Sequence, residues 1–344
     1  MSTTAYTTEF YEYYSDSPDT PCFLNTSATL GTAIRPLVLW TVCVVGSLGN
    51  GLVLWVLLLR RVRSMADVCL LNLALADLLR ALLLPLWTLT GAGSDALCKA
   101  RTGMYQLGFA SGLLFVTLMS LDRYLAIVHA VASSAMRKLQ SSLLASAVVW
   151  ATAIMLALLK AVFAVSWDGQ CRMDYPPETA STWKLVHNFS DIVLCLGLCL
   201  PVVTFCYVRI LVVVRRQKSA KRGRAVRLIF AIVCVFAVFW VPYNVAVLLQ
   251  TLHTTQGLWD WCEASQKLAL AVEVTEIITL THCCVNPIIY AFVAEKFRKS
   301  FTLVFARHPL CVKFCPRLEP VTTTYSKPSD NDTSNTAVSS SRLE

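Results

Sequence analysis

Seven stretches of roughly twenty or more largely apolar residues, at 34–60, 67–90, 99–128, 141–166, 186–214, 226–252 and 264–292, constrain this chain more than any other feature. A hydrocarbon core of roughly 30 Å takes about 20 such residues per helical crossing, and within it every backbone N–H and C=O must be satisfied inside the helix. Composition agrees. Only 15% of the 344 residues are charged and 56% are hydrophobic, too little polar surface to cover a soluble domain. The expected fold is an all-α membrane protein, a seven-transmembrane helix bundle. On hydropathy alone the third, fifth and seventh spans are the weakest, because they carry polar residues.

Arginine and lysine set the expected orientation. Arg60, Arg61 and Arg63 follow the first span, Arg137 and Lys138 the third, Arg215 to Arg227 the fifth, and Lys296, Arg298 and Lys299 the seventh. All four groups fall on one side, which the positive-inside rule makes cytoplasmic. The N-terminus is then extracellular and the C-terminus cytoplasmic, as expected of a multi-pass protein of the plasma membrane. The net charge of +9 lies mostly inside, beside the anionic lipid leaflet, and does not point to nucleic acid. No charged segment followed by a short apolar run opens the chain, so no cleavable signal peptide is expected. The domain reading is an acidic extracellular arm at 1–33, the bundle at 34–292, a short amphipathic cytoplasmic eighth helix at 293–306 and a disordered tail at 307–344.

Fourteen cysteines divide along the same lines. Eight lie within spans and read as small apolar fillers. Cys22, Cys98, Cys171 and Cys262 lie on the outer side, where an even set allows three pairings. Cys98 with Cys171 would make one bridge, and Cys22 with Cys262 would then pin the arm to the start of span seven. Cys311 and Cys315 follow the amphipathic segment inside and are palmitoylation candidates. Asn25-Thr26-Ser27 is an exposed glycosylation sequon, whereas Asn188-Phe189-Ser190 lies too close to the membrane.

Local motifs fall in a fixed order along the spans: Gly49-Asn50, LNLALADLL with Asp77, DRYLAIVHA from Asp122 to Ala130, Trp150, FWVPYN with Trp240 and Pro242, and HCCVNPIIY from His282 to Tyr290. Together they resemble a rhodopsin-like G-protein-coupled receptor. The longer strings SMADVCLLNLALADLL, RAVRLIF and HCCVNPIIYAF resemble the chemokine receptors, most closely those for CC-type chemokines.

The resemblance implies roles for residues that also have physical readings. Asn50, Asp77 and Asn286 are polar groups at mid-membrane depth and should face the bundle interior; in the resembled family they form a polar network around an internal sodium ion. Pro242 and Pro287 each remove a helix hydrogen bond and permit kinks in spans six and seven. Asp122, Arg123 and Tyr124 match the G-protein coupling element, with Arg123 held by Asp122 at rest. Tyr207 and Tyr290 match tyrosines that support the active arrangement. The residue facing Arg123 from span six is about Arg222, so no acid locks those two spans together.

The implied ligand is a small basic chemokine. Tyr11, Tyr13 and Tyr14, set among acidic residues in the arm, would meet its body and are sulfation candidates, with opposite charge raising the encounter rate. Glu276 is the expected anchor for its amino terminus, Glu273 lies one turn outward, and Trp87, Tyr105 and Tyr243 are expected aromatic walls. The implied partners are the chemokine, a heterotrimeric G protein, arrestin at the phosphorylated tail, and membrane lipids; no nucleic acid is expected. No catalytic residue, metal centre or cofactor is expected, since the five histidines are scattered. The rival reading is a scavenging receptor that internalises chemokine without activating G protein, and the intact DRYLAIV argues against it.

Some residues depart from the family pattern. Span four carries Lys160 in place of a proline near its outer end, and Pro201 stands six residues before Tyr207 rather than eight. Arg80 is not supplied by the resemblance at all. It lies three residues after Asp77, on nearly the same helix face. An unpaired arginine at that depth costs about 2.5–3.5 kcal/mol on insertion scales, so a partner is expected. Asp77 is the nearest candidate and would let the guanidinium stand in for sodium; Glu276 is the alternative.

Overall fold

The computed structural model describes residues 27–60, 62, 64–87, 94–129, 139–167, 170–216, 222–256 and 262–293, with side chains except at 27–33, 60, 86–87, 139, 170, 222–232, 254–256, 262–263 and 290–293. Seven helices follow in chain order: α1 (Ser27–Arg60), α2 (Met65–Leu83), α3 (Asp95–Val128), α4 (Leu139–Ala161), α5, α6 (Arg222–Gln256) and α7 (Cys262–Val293). The fifth, α5, runs through Ala180–Ile192, a π-helical segment Val193–Cys199, and Leu200–Arg216. Between α4 and α5 lies an antiparallel hairpin, β1 (Ala164–Trp167) with β2 (Gln170–Met173), in which Ser166 is opposite Cys171. The hairpin takes residues that hydropathy alone assigns to the fourth span, so α4 stops at Ala161 rather than at 166.

Among the described residues, six helical segments are long and apolar enough to cross a membrane: Ile34–Leu59, Asp95–Val128, Gln140–Ala161, Pro177–Arg216, Val233–His253 and Ala264–Ile289. The exception is α2, whose nineteen residues carry Asp67, Asp77 and Arg80. Of the six, the third and seventh helices have the lowest hydropathy, as expected, whereas the fifth is as apolar as the first; α2 is set apart by its three charges. Packing explains how the bundle tolerates it. The second helix contacts α1, α3, α4 and α7, and its charged residues Asp77 and Arg80 are buried among them. Its start is fixed locally: Ser64 Oγ accepts from the Asp67 N–H and the Ser64 N–H donates to Asp67 Oδ2, both at 3.2 Å, which closes a capping box.

Burial is inverted relative to a soluble protein. On α4 the exposed side chains include Leu144, Met155 and Leu158, while Asn50, Asp77, Arg80, Asp122, Asn244 and Asn286 are buried. Lipid is as apolar as the core, so polar groups gain by pairing inside. The central apolar cluster brings together Leu73, Phe109, Leu113, Phe115, Phe236 and Trp240. The Phe109 and Trp240 rings meet edge-on at 5.2 Å, and those of Phe115 and Trp150 at 5.7 Å.

Asn72 joins α2 to α4. Its Oδ1 accepts from Trp150 Nε1 at 2.9 Å, and its Nδ2 donates to Val68 O at 2.8 Å and Ser146 Oγ at 3.3 Å. Trp150→Phe keeps a ring against Phe115 but strands the Asn72 carbonyl oxygen. It is expected to cost about 1–3 kcal/mol. Adding Asn72→Leu should recover part of that loss, because the stranded amide is removed and only Ser146 Oγ then lacks its donor; thermal denaturation of the single and double variants would read both effects.

The irregular turn of α5 lies immediately before Pro201. The Leu200 N–H reaches back to Cys195 O, a longer loop than an α-helix makes. Asn188 is half-buried, and its Nδ2 donates to Thr251 Oγ1 of α6 at 3.0 Å. The Cys98–Cys171 disulfide is formed, with Cα atoms 5.5 Å apart, and ties the hairpin to the first turn of α3. Cys22, the Cys262 side chain, Asn25, Tyr11, Tyr13, Tyr14, Cys311, Cys315 and the whole of 294–344 lie outside the described residues, and with them the second bridge, the arm up to residue 26, the segment expected as an eighth helix and the tail, while residues 27–33 of the expected arm are already helical in α1.

Candidate functional site

The predicted site residues gather in three levels along the bundle, starting at the disulfide end. There Tyr105 of α3, Tyr243 of α6, and Glu273 and Glu276 of α7 are all half-buried. Glu276 already has a cation: Arg35 Nη2 of α1 donates to its Oε2 at 3.3 Å, with the two side chains 28% and 21% exposed. Hydropathy gives no hint of that contact, because Arg35 reads as a residue at the membrane edge. The Trp87 side chain is outside the described residues.

Arg80 departs from both expected pairings. The side chain is 2% exposed, and neither Asp77 nor Glu276 lies within ion-pair range of it among the described contacts. Instead Nη2 donates to the Thr279 carbonyl of α7 at 3.4 Å, and the guanidinium carbon lies 5.5 Å from the Tyr105 ring centroid and 5.3 Å from that of Trp240. Two aromatic faces with their negative quadrupoles thus take the place of a carboxylate. The helices can approach here because residue 108 of α3 is glycine: a Cβ would meet Arg80 Cβ at 3.0 Å.

A second, half-buried charge system explains Lys160, which the sequence marked only as a departure, and adds Asp191, which it did not single out. Lys160 of α4 pairs with Asp191 Oδ2 of α5, and Gln106 Nε2 of α3 donates to Asp191 Oδ1 at 2.7 Å. Three helices are thereby clamped at the level where the pattern lacks its proline. The available signal was an opposite-signed pair in two neighbouring apolar spans, where each charge needs a partner.

The middle level explains the Gly49-Asn50 motif. Pro287 has no N–H, so the carbonyl four residues earlier, Cys283 O, loses its helical donor. Asn50 Nδ2 supplies one from α1 at 2.9 Å, and also donates to Gly46 O at 3.0 Å. A Cβ on Gly49 would meet the Pro287 ring at 2.9 Å, so glycine lets the two helices close. Asp77 Oδ2 accepts from Asn286 Nδ2 at 2.6 Å. For a sodium ion these residues are divided: the buried Asn50 Oδ1 has no hydrogen-bond partner, whereas Asp77 Oδ2 already accepts from Asn286 and the positive Arg80 lies one helical turn along α2. Among the described residues no group of three or more His, Cys, Asp or Glu side chains comes together as a metal site.

Above this level α6 bends its chemistry around Pro242. Thr279 Oγ1 of α7 donates to Phe239 O at 2.6 Å and Asn244 Nδ2 to Trp240 O at 2.9 Å. The Trp240 ring, 1% exposed, meets His282 at 5.2 Å.

At the opposite end Asp122, buried, pairs through Oδ2 with Arg123 Nη2 at 3.2 Å, while Arg123 remains accessible. The Tyr124 hydroxyl and His129 Nε2 are 3.0 Å apart, and the Tyr124 ring contacts Phe205 of α5. Tyr207 is buried with Val203, Ile210 and Val214, against Tyr124 and Val128. The Arg222 and Tyr290 side chains lie outside the described residues. Chemically, the arrangement offers cation and anion contacts at one end and an exposed arginine, tethered by a buried acid, at the other.

Residues 49–290 match the seven-transmembrane receptor model of the rhodopsin family. The C-C chemokine receptor type 8 of Mus musculus is 43% identical over 310 residues, 86% of each chain. Its counterpart in Homo sapiens is 40% identical over 304 residues, 86% of this chain and 85% of the relative.

Proposed function

Since the chain belongs to the chemokine receptors of the rhodopsin family of multi-pass membrane receptors, we propose that it binds a basic CC-type chemokine outside the cell and activates a heterotrimeric G protein of the Gi type inside, driving calcium signalling and chemotaxis. The N-terminus is then extracellular, the Cys98–Cys171 end faces the ligand, and the Asp122–Arg123 end faces the cytoplasm. The family is one of receptors and not of enzymes.

The observation that carries the reading is the Asp122–Arg123 pair. A buried acid holding an accessible arginine, with Tyr124 and Tyr207 packed beside it, is the arrangement a signalling receptor needs at its cytoplasmic end. It favours signalling over scavenging. The ligand's body meets Tyr11, Tyr13 and Tyr14, and its amino terminus displaces Arg35 from Glu276 between Tyr105 and Tyr243. Movement of α6 about Pro242 then frees Arg123 for the G protein, and arrestin follows at the phosphorylated tail. Palmitoyl groups on Cys311 and Cys315 anchor the segment after α7 in lipid. Screening a panel of CC-type chemokines for G-protein activation in cells expressing the receptor tests the proposal, and uptake of chemokine without activation would favour scavenging.

A further inference from the structure

Around the Arg80 guanidinium three buried polar atoms have no hydrogen-bond partner: Arg80 Nε, Trp240 Nε1 and His282 Nδ1. They are neighbours. The guanidinium is 5.3 Å from the Trp240 ring, and the Trp240 and His282 rings are 5.2 Å apart. The first two atoms carry N–H groups and can only donate, and the third donates in one of its two tautomers.

The acids that might satisfy them are committed elsewhere. Asp77 accepts from Asn286 and Glu276 from Arg35. The guanidinium has other contacts, Nη2 donating to Thr279 O over a long 3.4 Å and the Tyr105 side chain hydrogen-bonding Arg80, yet Nε has no partner. Guanidinium, indole and imidazole are thus buried neighbours with unmet donors, and what complements such a set is a negative charge. An Nε edge beside a terminal nitrogen presents two parallel N–H groups, the fork that a carboxylate accepts.

We infer that Arg80, Trp240 and His282 form an anion-binding site at the floor of the ligand pocket, between α2, α6 and α7, which takes one negatively charged group, either a carboxylate carried in by the ligand or a free monovalent anion. Thr279, which holds the guanidinium, lies one helical turn below Glu276 on α7. The pocket therefore offers an acidic contact above and a basic contact below, about one turn apart. A peptide whose amine reaches Glu276 would place a nearby acidic side chain at Arg80. This rests on the proposed ligand pocket for the peptide source only; the free anion requires neither chemokine nor G protein.

The test uses the full-length receptor in lipid nanodiscs and reads its melting temperature without chemokine. Sodium formate and sodium chloride are compared with sodium gluconate, a bulkier anion, at equal ionic strength. In gluconate, short peptides with a free amino terminus and Asp near it are compared with the same peptides carrying Asn. Stabilisation by about 3 °C in formate or chloride, absent in Arg80→Gln and retained in Arg80→Lys, identifies a free anion. Stabilisation by the Asp peptides alone, with the same dependence on Arg80, identifies a ligand carboxylate. If Arg80→Gln does not fold, Trp240→Phe, which removes one donor and keeps a ring, should reduce the shift. No stabilisation by either source in the wild type, or a shift that persists undiminished in the folded variants, overturns the inference.

Discussion

Replacing Cys98 by Ser should lower the stability of the receptor by roughly 4 kcal/mol, the loop entropy released when a bridge spanning 73 residues is opened. In a bundle of this size that corresponds to a fall in melting temperature on the order of 10 °C. The loss should fall on the pocket first, because the bridge is what fastens the hairpin across the first turn of α3. Asp95 reinforces the same corner, its Oδ1 accepting from the Ser166 N–H at 2.7 Å, but an exposed hydrogen bond contributes only about 1 kcal/mol. Cys171→Ser should match Cys98→Ser, and the double variant should be no worse than either, since all three remove the same bond. Thermal denaturation of the three purified variants checks this, and a double variant markedly less stable than the singles would show that the cysteines act separately.

Glu276→Gln should reduce the potency of chemokine-evoked signalling by a factor of roughly 10 to 100, the worth of a hydrogen bond to a charged group, while changing chemokine affinity much less. The amide keeps the shape but loses the charge that attracts an incoming amine, and it releases Arg35. Affinity from the body of the chemokine, held by the arm, would persist. Arg35→Gln should move potency the other way, because the amine no longer has a guanidinium to displace. Dose-response curves and binding isotherms measured together on both variants separate the two effects. Equal loss of potency and affinity in Glu276→Gln, at normal surface expression, would put Glu276 in the main affinity site.

Much of this architecture was legible in the sequence because lipid makes the rules strict. Seven apolar stretches become seven helices, and Asn50, Asp77 and Asn286 face inward. The partner of each polar group was less legible. Asp77 and Arg80 share a helix face by their spacing, yet the choice of rotamer lies with Tyr105, Trp240 and Thr279, which come from three other helices. Spacing along one helix says nothing about those. The Arg35–Glu276 pair joins residues 241 apart in sequence and was invisible for the same reason. The boundary of α4 was missed because the first hairpin strand, Ala164–Trp167, continues the hydropathy of the span that precedes it. Lys160 stood out as a departure, and its pairing with Asp191 turns that departure into a structural clamp.

The central claim is that this receptor signals through the arginine held by Asp122. The most direct measurement is energy transfer between Gi subunits in cells challenged with a panel of CC-type chemokines, for the wild type and for Arg123→Asn at matched surface expression. The account predicts that at least one chemokine dissociates the G protein through the wild type, and that Arg123→Asn still binds that chemokine but gives no response. A chemokine that is bound and internalised with no G-protein response from the wild type, or an undiminished response from Arg123→Asn, would contradict it.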